Sequence, residues 1–155
     1  MSDDQLPTRR GPRPRTTPTN PHTQLDQQPD DRRLRDKLAR RLFALEGVEE
    51  RPSAISVPGA RALWLAEEVT AGPPEAFLVG REFAHLHPHP DESLHAMLPP
   101  AVGDEAVKTG WAEPHPVARL GLIPETAVMI YAPRDEEELD VVERLVRASY
   151  EFARG

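Results

Sequence analysis

The chain is 155 residues long, carries a formal net charge of -7 at pH 7 and contains no cysteine. That length suits one folded domain, because a single core of about 100–150 residues hides enough surface to stand alone. The acidic balance argues against non-specific binding to nucleic acid or anionic lipid, and the missing thiols exclude disulfides, thiolate nucleophiles and iron–sulfur clusters.

Residues 1–29 hold Pro7, Pro12, Pro14, Pro18, Pro21 and Pro29, together with Arg9, Arg10, Arg13 and Arg15, and almost no large apolar side chain. Such a composition cannot offset its chain entropy by burial, which predicts a disordered, solubilising tail ahead of a single domain over 30–155. MSDDQLPTRR lacks a signal-peptide core, and no apolar run nears the roughly 20 residues needed to span a bilayer, so the expected location is the cytoplasm.

Asp30 or Asp31 is placed to cap a helix on which Leu34, Leu38, Leu42 and Leu45 form one apolar stripe, ending at Gly47. RALWLAEEV, 61–69, predicts a strand after the Pro58-Gly59 turn, and EAFLV, 75–79, a second. Residues 82–88 and 93–98 predict two more strands joined at Pro90-Asp91-Glu92. A short helix follows Pro99-Pro100 and ends at Gly110, and TAVMIY, 126–131, reads as a buried strand. In the last helix Asp135 and Glu138 have capping-box spacing, while Leu139, Val142, Leu145 or Val146, and Tyr150 share the core side. This order predicts an α+β fold with a largely antiparallel sheet packed against an N-terminal and a C-terminal helix.

REFAHLHPHPDESLHAML, 81–98, gathers His85, His87, His89 and His95. Strand alternation places Phe83, His85 and His87 on one face and Ala84 and Leu86 on the other. A three-residue loop, Pro90 to Glu92, sets His87 opposite His95 and His85 opposite Met97. Prolines on both sides stiffen the loop that carries His115, and Arg134, at the exit of the last strand, has the forked donor geometry that orients an anionic oxygen. From the residues alone, three readings stand for the imidazoles: surface or structural groups, an acid/base pocket, or a transition-metal site on His85, His87, His95 and His115. His115 also reads as a turn cap beside a core Trp111, and Arg134 as the partner of a nearby carboxylate.

The run REFAHLH followed by SLH, then TGWAEPHPVA, then YAPRDEEELDVVERLVRASYEF resembles the luciferase-domain family, which includes the fungal luciferases. The resemblance covers about residues 76–153. Arg81, Glu82, Ala84, His85, His87, Asp91, Leu94 and His95 fit its pattern, as do Gly110, Trp111, His115, Pro116 and the run from Tyr131 to Arg134; His89 does not. The fungal enzymes oxygenate a hydroxylated hispidin-type pyrone with no recognised cofactor. The resemblance therefore implies a planar, oxygen-rich aromatic or polyketide-like small-molecule ligand and oxygenation without a cofactor, the alternative being a transition metal. In that picture His85 or His87 takes an enol proton, the other imidazoles of His85, His87, His95 and His115 join Arg134 as donors to the anion, and Trp111, Phe83 and Tyr131 form apolar walls. The membrane helix of the fungal enzymes has no counterpart in the Pro/Arg-rich segment, so membrane attachment is not expected to carry over, and the acidic balance leaves no nucleic-acid partner expected. A non-enzymatic interaction module is the remaining reading.

Overall fold

Prolines set many of the element boundaries in the computed structural model, which describes residues 5–155. Helix α1 (Arg33–Phe43) buries Leu34, Leu38 and Leu42 along the expected stripe, and Asp31 accepts the Arg33 amide at 3.0 Å. It ends about a turn earlier than expected, yet Leu45 still packs on the core. Helix α2 (Pro100–Lys108) and the short α3 (Pro116–Arg119) each begin on a proline, whose missing N–H would have found no partner in a first turn anyway. Helix α4 (Glu136–Arg154) is capped by Asp135, which accepts the Glu138 amide at 2.9 Å, and it buries Leu139, Val142, Leu145, Val146 and Tyr150.

Strands β1 (Val48–Pro52), β2 (Arg61–Leu65), β3 (Glu82–Leu86), β4 (Leu94–Met97), β5 (Ala112–Pro114) and β6 (Ala127–Ile130) form one antiparallel sheet in the order β1-β2-β3-β4-β6-β5. The α+β architecture is thus the expected one. Two strands went unforeseen: VEERP is charged and AEP is only three residues long, and neither carries an apolar alternation. Both lie at sheet edges and end in proline, where a missing donor breaks no interior ladder. EAFLV is not a strand. Pro74–Ala76 makes a single 3-10 turn, with the Ala76 amide on Pro73 O at 3.0 Å, and only Val79 bridges to Glu82.

One sheet face presents Leu63, Ala84, Leu86, Leu94, Ala96 and Ile130 to α1 and α4, and this is the main core. Each large side chain buried there contributes roughly 1.5–3 kcal/mol. The opposite face aligns Ala62, His85, His95 and Met129 across neighbouring strands. Here the hairpin differs from expectation: His85, not His87, faces His95, and Leu86 faces Leu94. The connection is longer because Pro88 and Pro90 cannot donate ladder bonds. Asp91 fills the gap by accepting the Ser93 amide at 3.0 Å and its hydroxyl at 2.7 Å, and the His87 amide closes onto Ser93 O at 3.2 Å.

A register shift between Leu63 and Trp64 inserts Phe83 as an extra residue: Ala84 faces Leu63, whereas Glu82 faces Trp64. Such a bulge reverses which side chains point where. Phe83 turns into the helix-covered core, its ring centroid 6.2 Å from that of Tyr150, so the expectation that it shares the histidine face is corrected. Glu82 takes that face instead and sits beside His85.

Residues 5–29, expected to hang free, lie docked along the domain; the first four residues of that expectation fall outside the described ones. The Trp111 indole donates to Pro7 O at 2.6 Å, Arg13 to Ala112 O at 2.8 Å, and the Ala132 amide to the Gln24 side chain at 2.9 Å. The segment is anchored mainly by polar groups. A composition argument built on apolar burial therefore has nothing to register.

Candidate functional site

Between the histidine face and the docked segment lies a cavity of about 440 Å³, within the range typical of small-molecule sites. His85, His87, His95 and His115 all line it, and none is more than 7% exposed. They are joined by His22, from the docked segment, which is 3% exposed. Ile55, Val57, Leu78, Val117 and Ile123 supply an apolar side. His89 sits at the mouth with its side chain 53% exposed.

His95 is the hub. Its Nδ1 lies 3.1 Å from His85 Nε2 and 2.9 Å from His87 Nε2, and its own Nε2 lies 2.9 Å from His22 Nδ1. The His115 ring centroid is 4.4 Å from that of His95. The outer nitrogens of the cluster meet oxygen. His85 Nδ1 is 2.8 Å from Glu82 Oε2, and the same carboxylate accepts from the Ser53 hydroxyl at 2.7 Å and the Ala54 amide at 2.9 Å. His87 Nδ1 is 3.0 Å from Ser93 Oγ, whose hydrogen goes to Asp91. His22 Nε2 is 2.6 Å from Glu113 Oε2.

These contacts assign tautomers, because an ionised carboxylate only accepts. Nδ1 of His85 carries its proton, as does Nδ1 of His87, since Ser93 spends its hydrogen on Asp91. His115 is fixed the other way: its Nδ1 accepts the Val117 amide at 3.1 Å, so its Nε2 is the donor. Burial, reinforced by the neighbouring rings, lowers His87 to about 3 and His115 to about 4, and pushes His95 well below the usual histidine range. Burial alone would raise Glu113, but hydrogen bonds from His22, Tyr131 and Thr16 outweigh it and hold the carboxyl below its ordinary value. At neutral pH these three rings are uncharged and Glu113 is an anion.

The residues expected to bind the ligand lie elsewhere. Arg134 forks onto Glu138, with Nε 2.9 Å from Oε1 and 3.1 Å from Oε2, and donates to Arg10 O at 2.9 Å, so it anchors the docked segment. Tyr131 is buried and donates to Glu113 at 2.8 Å. Trp111 and Phe83 belong to the core. None of these four lines the cavity. Reading by residue type missed His22 and Glu113. A lone histidine in a proline-rich stretch carries no periodic signal, and Glu113 comes from a strand too short to show one. Glu82 and Asp91 were visible only through the family pattern.

Residues 80–149 match the family profile described as "Luciferase domain". Curated proteins named "Luciferase" from Armillaria gallica and Armillaria mellea are each 34% identical over 160 residues, an alignment taking in 93% of this chain and 59% of theirs. The chain thus spans about three-fifths of the length of those relatives. The "Luciferase" of Neonothopanus nambi is 45% identical over 71 residues, covering 44% of this chain and 27% of that protein. No solved structure matches. Among the described residues, no helix is long and apolar enough to cross a membrane. His85, His87, His95 and His115 thus all lie inside the stretch that matches the luciferase domain, and all four line one cavity.

Proposed function

We propose that this protein binds a small, planar, oxygen-rich aromatic or polyketide-like molecule in the histidine-lined cavity and oxygenates it. The observation that supports this reading most is the mixed lining of that hollow. Imidazole nitrogens share it with Ile55, Val57, Leu78, Val117 and Ile123, which suits a flat ring bearing enolic oxygens on one edge. Withdrawal of an enol proton toward the imidazoles leaves an electron-rich carbanion equivalent. A new carbon–oxygen bond to O₂ then oxidises the ring and leaves a peroxide anion. His115 Nε2, held as a donor by the Val117 amide, would stabilise that anion. The relatives' name, "Luciferase", agrees with a reaction of this class.

The test is a titration of the full chain, as isolated, with hydroxylated pyrones and related enolic aromatics, followed by absorbance and by an oxygen electrode. Saturable binding with oxygen uptake is expected, and weaker uptake in His115→Ala. Neither binding nor uptake across the panel would overturn the reading.

A further inference from the structure

The hydrogen bonds around the cluster fix where its protons sit, and their arrangement is unusual at the centre. Glu82 takes the Nδ1 proton of His85, and Asp91, through Ser93, takes that of His87. Glu113 takes the Nε2 proton of His22, which makes His22 Nδ1 an acceptor and turns the Nε2 proton of His95 toward it. All three rings of the hairpin therefore send their outer nitrogen, directly or through one group, to a carboxylate. Their inner nitrogens, Nε2 of His85, Nε2 of His87 and Nδ1 of His95, are left as lone pairs facing one another at 3.1 and 2.9 Å. Lone pairs so close repel unless a cation lies among them. Glu82, with no accessible surface, needs one too: among the described residues its partners are Ser53, Ala54 and His85, none a lysine or arginine.

We propose that His85 Nε2, His87 Nε2 and His95 Nδ1 together hold one divalent first-row transition cation, with Glu82, Asp91 through Ser93, and Glu113 through His22 orienting the three rings. The contacts at 3.1 and 2.9 Å fit, and all three nitrogens lie within 4.8 Å of one another. Imidazole nitrogens bound at 2.0–2.1 Å to one ion stand roughly 2.8–3.4 Å apart at neighbouring positions in octahedral to tetrahedral geometry. Neutral imidazole is the usual protein ligand for such ions, and a histidine whose far nitrogen is tied to a carboxylate is the usual form of that ligand. A second trio, His22, His95 and His115, also converges within 4.8 Å. It is the weaker choice, because His115 spends Nδ1 on the Val117 amide and His22 spends both nitrogens on His95 and Glu113. The three imidazoles belong to the cavity lining, so the remaining positions of the ion face the space assigned above to the enolic ligand. This inference departs from the cofactor-free expectation. It also bears on how the ligand reading would work, because lone pairs committed to an ion cannot take the enol proton, but its test uses metal alone and so its failure is distinguishable from a failure of ligand binding.

Untagged full-length protein is stripped with a chelator, titrated with Co²⁺ or Zn²⁺, desalted and measured for bound metal, visible absorption and melting temperature. One equivalent retained per chain is expected, with a rise in melting temperature and a cobalt spectrum of nitrogen ligation. His85→Ala and His87→Ala abolish retention, His115→Ala keeps it, and Glu82→Gln weakens it roughly 10–100-fold. Failure of the wild-type chain to retain metal would overturn the proposal, whatever the variants do. So would retention that survives both His85→Ala and His87→Ala, or that vanishes in His115→Ala alone. Should an alanine variant fail to fold, the wild-type cobalt spectrum and the Glu82→Gln affinity decide.

Discussion

Replacing Glu82 with glutamine probes the bulge and the histidine cluster together. The side chain keeps its volume but exchanges one acceptor for a donor. Its amide oxygen must stay on the Ala54 amide, now served by Oε1 at 2.9 Å, so the NH₂ replaces Oε2 and meets the Ser53 hydroxyl and His85 Nδ1. Ser53 can rotate to accept. His85 can accept only by moving its proton to Nε2, where it points at the His95 Nδ1 lone pair 3.1 Å away. A hydrogen bond to a charged group contributes about 1.5–3 kcal/mol, and the tautomer change recovers part of it, so metal-free Glu82→Gln is expected to lose about 1–3 kcal/mol. For a domain of this size that lowers the melting temperature by roughly 3–10 °C. Glu82→Ala also opens a void and orphans the Ala54 amide, for about 3–5 kcal/mol. Thermal unfolding followed by circular dichroism reads the stability, and ¹⁵N NMR of the imidazoles reads the tautomer. A melting temperature within about 1 °C of wild type, together with an unshifted His85 nitrogen pair, would show that Glu82 does not hold the ring and would refute the reasoning.

Phe83→Ala should cost about 3–5 kcal/mol in a chemical denaturation curve, since the ring is fully buried beside Tyr150, while Phe83→Leu should leave ligand affinity unchanged; a large affinity loss in the leucine variant would return Phe83 to the cavity. In chelator-treated protein, His87 and His115 titrate near 3 and 4 when folded but near 6.5 when unfolded, so the unfolded chain binds more protons between those values. Stability is therefore full above about pH 6.5 and falls as the pH drops toward 4 and below; a urea midpoint that does not move between about pH 7 and 4.5 contradicts this. Arg134→Ala removes the bonds to Glu138 and to Arg10 O that pin the N-terminal segment, and trypsin should then cut at Arg9, Arg10 or Arg15 well before the rest of the domain; unchanged cleavage kinetics would mean the segment is held without it.

How far the sequence could be read depended on how local each determinant was. The leucine stripe of α1, the Asp135 cap and the apolar side of α4 repeat at helical spacing, and the structure places them as that spacing implies. The β3–β4 hairpin was visible as a pair of strands, but its register was not. Register followed from Pro88, Pro90 and the Asp91–Ser93 bonds, which lengthen the connection and put His85 across from His95. EAFLV has strand composition and is not a strand, because no neighbour offers it a ladder and the prolines before it turn the chain.

Short stretches of chain carried the fold class, the likeness to the luciferase domain and the four histidines, since periodicity, capping residues and family words are properties of such stretches. Only the tertiary structure decided what surrounds those histidines. One inserted residue at the bulge exchanged Phe83 for Glu82 on the cavity face, and a proline-rich segment with no apolar signal brought in His22 from 73 positions away along the chain. The physical reason is common to both. Which face a strand residue presents depends on pairing with a distant strand, and polar docking depends on partners that are adjacent only after folding.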